Sequence, residues 1–257
     1  MTIVNPSRFQ NLIAEAQQAD FSGWDFHWLD GRLVQEEPPW DYPAIVKDHF
    51  PGVHSLLDMG TGGGELLASL APLPPDTHAT EAYLPNQRIA RACLEPLNVI
   101  LHAIKEGDPL PFQDADFDLV TNRHDGFDTH EVYRVLKPGG RFITQQVGGL
   151  DNLELNQVLE GKISFPFSST CMENDLSQLY EADFHIEKAE KAALPSVFKD
   201  VGAVVYYLKA IPWQVPGFSI ETQAEPLIRL HNIIERQGSF IATAHRFLIL
   251  ARKKEPA

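Results

Sequence analysis

Cysteine is scarce in this chain of 257 residues, where only Cys93 and Cys171 occur, outside any CxxC spacing. Two isolated thiols predict neither a disulfide framework nor a zinc site. The histidines form no H-x-x-H or H-E-x-x-H pair, so we expect no metal site. The first residues lack the apolar core of a signal peptide, and no apolar run is long enough to span a bilayer. The sequence therefore predicts a cytoplasmic protein without a membrane partner.

Basic residues are also few, with 21 Lys and Arg against 35 Asp and Glu and a formal net charge of −14. Binding along a nucleic-acid backbone needs clustered positive charge. The one basic run, Arg252 to Lys254, lies near the chain end and is most simply a solvated tail. The charge balance thus argues against a nucleic-acid partner.

Glycine is concentrated in one place, the stretch 53–65, which reads V-H-S-L-L-D-M-G-T-G-G-G-E. A short apolar run meets the acid Asp58, breaks into glycines, and continues with leucines at helical spacing. A strand, a glycine turn and a helix form the opening unit of a nucleotide-binding α/β sheet. The start of such a helix offers free N–H groups to a ligand.

The spacing D-x-G-x-G-x-G narrows the ligand class. A dinucleotide fold has G-x-G-x-x-G, and here Glu65 stands where the third glycine belongs. A P-loop is excluded because the turn has no lysine. Glu65 would repel a pyrophosphate, whereas a ligand with an amine and a positive sulfur would suit it. An NAD(P)-linked oxidoreductase stays open as an alternative, although it would need the dinucleotide glycine spacing that Glu65 interrupts.

The motif D-M-G-T-G-G-G at 58–64 resembles the first motif of class I S-adenosylmethionine-dependent methyltransferases, of the methyltransferase type 11 kind. Three further stretches match the same family in the same order: L-P-F at 110–112, F-D-L-V at 117–120 and L-K-P-G-G at 136–140. The resemblance covers residues 53–147 well and the rest poorly. It implies that S-adenosyl-L-methionine is the cofactor.

The resemblance also implies which residues bind this cofactor. Glu81 ends the second predicted strand, where a carboxylate can accept hydrogen bonds from both ribose hydroxyls. Glu106 and Asp108 both fit the acid that contacts adenine, and we prefer Glu106 for its distance from Leu110. The complete predicted set is Asp58, Gly60, Thr61, Gly62, Glu81, Ala82, Glu106 and Asn122.

His124 is the catalytic candidate, because it follows the fourth predicted strand and a histidine near neutral pKa can remove a proton. Asp125 could orient it or begin the next helix. Gln145 and Gln146 end the fifth predicted strand and could face a substrate. Residues 122–125 read N-R-H-D, so the N/D-P-P-Y/F tetrad of nucleobase and amide methylating members is absent.

The predicted fold is α/β, with a doubly wound, mostly parallel, seven-stranded sheet of the Rossmann-like methyltransferase type. We expect an N-terminal helical and aromatic cap over 1–50, a core over 51–257, and a late helical insertion at 200–240. Within the cap, we interpret Trp40 and Tyr42 as a lid, and Trp24 and Trp28 as core residues.

The predicted function is methyl transfer from S-adenosylmethionine to an unidentified small molecule. Methyl transfer is an in-line displacement in which the cofactor carries the activated group, so the protein mainly supplies position. Two alternatives stay open: a cofactor-binding protein that transfers no methyl group, and an RNA-modifying methyltransferase.

Overall fold

The computed structural model describes residues 2–21, 26–161, 167 and 170–255, which form eight strands and nine α-helices. The strands are β1 (Leu33–Gln35), β2 (Ser55–Met59), β3 (Asp76–Glu81), β4 (Ile100–Ala103), β5 (Phe117–Arg123), β6 (Leu136–Val147), β7 (Phe184–Phe198) and β8 (Phe240–Lys253). The helices are α1 (Pro6–Gln18), α2 (Tyr42–Asp48), α3 (Glu65–Ser69), α4 (Leu84–Leu94), α5 (Thr129–Val135), α6 (Leu153–Glu160), α7 (Met172–Glu181), α8 (Val201–Ala210) and α9 (Ala224–Gln237). None of the helices in the described ranges has the length and hydropathy of a membrane span.

The chain divides into two compact units. The first unit comprises Met1–Pro38, Gly148–Thr170 and Ala193–His245. The second unit comprises Pro39–Val147, Cys171–Ala192 and Arg246–Ala257. These two units do not coincide with the predicted cap over 1–50 and core over 51–257. The division into a cap and a core therefore stays a prediction.

The second unit is built on a mostly parallel sheet with the strand order β7-β8-β6-β5-β2-β3-β4. Four neighbouring pairs are parallel, namely β2 with β3, β2 with β5, β3 with β4, and β5 with β6. Strand β8 pairs with β6 in the antiparallel direction. The order reverses at β2, with β3 on one side and β5 on the other. In an open α/β sheet, ligands bind beyond the carboxyl ends of the strands at such a reversal.

Apolar side chains cover both faces of this sheet. Leu56 and Leu57 are adjacent in β2 and both fully buried, yet they belong to different core clusters. Because successive side chains of a strand point to opposite faces, this pattern indicates a sheet buried on two sides. The predicted α/β class is thereby confirmed.

The first unit has its own core around α8, where nine of the ten residues are buried. Asp200 begins this helix, and its carboxylate accepts the backbone N–H of Ala203 at 2.8 Å. Arg32 grips the same carboxylate through two nitrogens, at 2.7 and 2.8 Å, while its guanidinium lies 3.8 Å from the ring centre of Trp28. Such a two-point ion pair fixes orientation as well as charge.

The sequence predicted seven strands, and the structure adds β1 as an eighth. Leu33 to Gln35 pair in the antiparallel direction with Phe198 to Ser196 of β7. Trp28 packs against the core of the first unit and stacks on Tyr206 at 4.6 Å, as predicted for a core residue. Trp24 lies outside the described residues.

Asp118 holds together the amino ends of β2 and β5. Its carboxylate accepts the backbone N–H groups of His54 and Ser55 and lies 2.9 Å from the Lys137 ammonium. Burial raises the pKa of Asp118, but the hydrogen bonds from Ser55, Lys137 and His54 outweigh it and lower the pKa to about 2. A depressed pKa means that the ionised form stabilises the fold.

We expect Asp118→Asn to reduce the free energy of unfolding at pH 7 by about 2 kcal/mol. The contribution is complete above the unfolded pKa of about 3.9 and is lost as pH falls through the folded pKa, so the variant should show a flatter stability curve between about pH 5 and 2. Urea unfolding at several pH values measures this. Asp48→Asn, at an exposed position, is the control, and equal pH dependence in the two variants would contradict the assignment.

Candidate functional site

The glycine turn after β2 is tied to the end of β3. The Thr61 N–H donates to the Thr80 carbonyl at 3.0 Å, and the Gly62 N–H donates to Glu81 Oε2 at 2.7 Å. The second Glu81 oxygen accepts the Tyr83 N–H at 2.7 Å. A carboxylate has about four lone-pair sites, so each oxygen of Glu81 can accept a further hydrogen bond. The structure thus brings the predicted turn and the predicted ribose-binding acid together.

Asp58 lies at the other side of the turn, near the carboxyl end of β2. Its carboxylate accepts the Thr121 hydroxyl of β5 at 2.7 Å. Desolvation raises the pKa of Asp58 to about 6, with the Thr121 hydrogen bond working in the opposite direction. Near neutral pH, Asp58 is therefore a carboxylate that a nearby positive charge would stabilise.

Gly60 lies directly against the side chain of Asp125. Gly60 has a φ of +64°, and a Cβ at this position would lie 2.2 Å from Asp125 Oδ2 and 2.5 Å from Asp125 Cβ. His124 has a φ of +59°, a conformation uncommon outside glycine. The Gln146 amide donates to the Asp125 carbonyl at 3.0 Å and holds this bend. Asp125 does not begin the next helix, because Asp128 caps α5.

Three carboxylates consequently surround the turn. Desolvation raises the pKa of Glu81, and the charge of Asp125 raises it further. Asp125 has the same effect on Asp58, while desolvation and the charge of Glu106 raise the pKa of Asp125 itself. Carboxylates that raise one another's pKa favour a positively charged ligand. Glu106, predicted to contact adenine, is exposed but close enough to act on this group.

His124 is joined to Trp40 through the amide of Gln145. The Trp40 indole nitrogen lies 2.7 Å from Gln145 Oε1, and Gln145 Nε2 lies 3.1 Å from His124 Nε2. Gln145 and Gln146 are buried, at 4% and 8% exposure, and their amides bond within the protein; that they face a substrate stays a prediction. They support the backbone and side chains that follow β5.

Asn122 and Tyr42 are internal parts of this edge. The Asn122 side chain is fully buried, and its oxygen accepts the Thr144 hydroxyl and the Gln146 amide. The Tyr42 hydroxyl donates to the Asn122 carbonyl at 3.2 Å. Tyr42 and Trp40 both belong to the buried core of the second unit, so core packing replaces the predicted lid.

Comparisons with known proteins agree with this geometry. The sequence model of the methyltransferase domain family matches residues 57–144, which include the turn, Glu81 and His124. Residues 57–144 are therefore a methyltransferase domain by this match. No curated protein matches the sequence.

Solved structures share the fold of this methyltransferase at low identity. A methyltransferase of unproven function from Bacillus halodurans is 19% identical, with a TM-score of 0.60 over 83% of this chain and 99% of the other. The YcgJ protein from Bacillus subtilis is 18% identical, with a TM-score of 0.59 over 84% and 99%. Geranyl diphosphate methyltransferase in complex with GPP and sinefungin is 14% identical, with a TM-score of 0.50 over 82% and 77%. At such identities the likeness establishes the fold alone.

The residues around the turn of the methyltransferase fit S-adenosylmethionine. The donor set is anionic, which suits a ligand with an ammonium and a sulfonium, and Glu81 retains lone pairs for two hydroxyls. Within the described residues, no group of three or more His, Cys, Asp or Glu side chains is arranged to hold a metal ion.

Two sets of contacts in the site were not predicted from the sequence: the contact of Asp125 with Gly60, and the hydrogen bonds that join Trp40, Gln145 and His124. Both depend on the left-handed backbone of His124 and on the pairing of Arg123 with Gln145 across β5 and β6. No local motif signals either contact, because each joins residues from separate segments.

Proposed function

We propose that this methyltransferase moves the methyl group of S-adenosylmethionine to a small-molecule acceptor. The observation that carries the proposal is Glu81, whose two oxygens are fixed by the backbone of Gly62 and Tyr83 at the glycine turn. When bound, the cofactor would supply an electrophilic methyl group, and the chain would supply position and charge.

In this proposal, Glu81 holds the ribose, and the turn residues Gly60, Thr61 and Gly62 approach the methionine end. Asp58 offers negative charge to the cationic groups, and Asp125 adds to it. Ala82 and Glu106 bound the adenine side. The side chain of Asn122 is buried and hydrogen-bonded to Thr144 and Gln146, so in this proposal Asn122 supports the cofactor site by anchoring the end of β5.

A small molecule is the acceptor class that the charge of the chain supports. The net charge of −14 opposes an RNA backbone, and one protein that shares the fold carries GPP, a small molecule. We also propose a cytoplasmic location, and we keep His124 as the catalytic candidate in the sense of a side chain that contacts the acceptor. A cofactor-binding protein without transfer would have the same cofactor contacts, so turnover must separate the two.

We expect calorimetry to show binding of S-adenosylmethionine and S-adenosylhomocysteine and none of NAD. The reason is the anionic turn, which would repel a pyrophosphate. Tighter binding of NAD would reject the cofactor assignment. With the cofactor bound, labelled methyl incorporation into a small-metabolite extract, compared with total RNA, tests the acceptor class; label in the RNA alone would contradict it.

A further inference from the structure

The carboxyl ends of β5 and β6 carry a directed series of hydrogen bonds from Trp40 to His124. Trp40 Nε1 lies 2.7 Å from Gln145 Oε1, and Gln145 Nε2 lies 3.1 Å from His124 Nε2. Trp40 and Gln145 are buried, whereas His124 is solvent-exposed. The series therefore runs from the core to a side chain that a ligand can reach.

Elementary hydrogen-bond chemistry fixes the direction of this series. An indole N–H can only donate, so the oxygen of the Gln145 amide must face Trp40. The NH₂ group of the same amide then faces His124, and it too can only donate. His124 Nε2 must consequently accept, which means that this nitrogen carries no proton. In a neutral imidazole, the single proton is then on Nδ1.

The surroundings of His124 support a neutral ring in this tautomer. The His124 N–H donates to the Gln145 carbonyl at 2.9 Å, so the same residue anchors both backbone and side chain. Desolvation and the charges of Arg123 and Arg246 lower the pKa of His124 to about 3. The neighbouring carboxylate of Asp125 is not among the causes of this shift. The hydrogen bond from Gln145 at 3.1 Å assigns the same tautomer by geometry.

We propose that His124 is a neutral hydrogen-bond donor through Nδ1. Gln145 and Trp40 are positioning residues that fix this tautomer. His124 Nε2 therefore takes no proton from the acceptor. The proposal deepens the proposed function and rests on it for the identity of the site. The Nδ1–H group of His124 would donate to an oxygen of a bound molecule, such as a carboxylate or carbonyl oxygen. It also favours acceptors whose methylated atom needs no proton removal by histidine.

The tautomer can be measured directly by long-range ¹⁵N–¹H NMR of ¹⁵N-histidine protein without any ligand. Nε2 couples to both carbon-bound ring protons and Nδ1 mainly to one, so the spectrum tells which nitrogen is protonated. His124→Asn identifies the His124 signals by their loss. We expect a protonated Nδ1 at pH 7, and a protonated Nε2 would overturn the proposal.

Two variants test the positioning residues. Trp40→Phe keeps an aromatic ring but removes the N–H, so the preference for the Nδ1–H tautomer should fall roughly three- to tenfold, as for one hydrogen bond. Trp28→Phe, at a tryptophan that stacks on Tyr206 instead, is the matched control and should leave the ratio unchanged. An unchanged ratio in Trp40→Phe would contradict the series.

Gln145→Glu gives an independent result if Trp40→Phe fails to fold. A carboxylate accepts from both neighbours, so the His124 proton should move to Nε2 and the pKa of His124 should rise. Retention of the Nδ1–H tautomer in Gln145→Glu would reject the proposal. These readouts need neither cofactor nor turnover, so their failure is distinguishable from a failure of the calorimetry that tests the proposed function.

Discussion

Gly60→Val is expected to weaken the binding of S-adenosylhomocysteine by roughly a hundredfold. The left-handed φ of +64° disfavours any side chain at this position. A Cβ would also lie 2.2 Å from Asp125 Oδ2, so either the turn or Asp125 must move. Strain of about 1–2 kcal/mol and overpacking of about 1–3 kcal/mol together correspond to roughly two decades in affinity.

Gly52 provides a matched control for the backbone effect. It has a φ of +83°, but nothing lies within 4 Å of the position of its Cβ. Gly52→Val should therefore show the backbone strain without the clash, and it should bind the ligand normally in calorimetry. Comparable loss in both variants would mean that left-handed backbone strain in general, and not the contact between residue 60 and Asp125, governs binding.

A second-site change tests the contact itself. A Cβ on residue 60 would also lie 2.5 Å from Asp125 Cβ, so Asp125→Ala would not relieve the clash. Asp125→Gly combined with Gly60→Ala should recover folding stability relative to Gly60→Ala alone, as measured by thermal unfolding. No recovery would show that the two residues do not limit each other.

Glu81→Gln is expected to weaken S-adenosylhomocysteine binding by at least about tenfold and to lower the melting temperature. Glu81 accepts two backbone N–H groups, one on each oxygen. A glutamine has one oxygen, so its NH₂ group must face a donor at Gly62 or Tyr83. Charge-assisted hydrogen bonds are worth about 1.5–3 kcal/mol each, and 1.4 kcal/mol corresponds to one decade.

A ribose analogue separates the two roles of Glu81. If Glu81 holds the ribose, a deoxyribose analogue of the ligand should lose most of its disadvantage in the variant. Glu95→Gln is the control, since Glu95 is exposed and its side chain has no hydrogen bond or ion pair among the described residues. An equal effect of the mutation on both analogues would mean that Glu81 supports only the turn.

Local patterns predicted most helices and strands of this protein. Phe9, Leu12 and Ile13 recur at helical spacing, and the structure has the helix Pro6–Gln18 there; the apolar run in 245–252 indicates a strand and is the second half of β8. Such elements are predictable because the spacing of apolar residues in the sequence indicates which face of the helix or strand is buried. Strand β1 was missed because three residues are too few to show a period, and its formation depends on pairing with β7.

The candidate site was predictable only where the chemistry is local. Asp58, Gly60 and Gly62 share one motif, and Glu81 follows at the end of the next strand. By contrast, the hydrogen bond between Trp40 and Gln145 was not predicted, because it joins the segment before α2 to the end of β6. The register of two paired strands determines which of their residues are neighbours, and the sequence of one strand alone does not determine this register.

The three carboxylates around the glycine turn have a consequence for proton balance. Asp58 has a pKa of about 6, and the pKa values of Glu81 and Asp125 are raised as well. A cationic ligand lowers such values, so binding near pH 6 is coupled to proton release. Under the proposed function, cofactor binding would therefore release protons, and acidification would favour the ligand-free form.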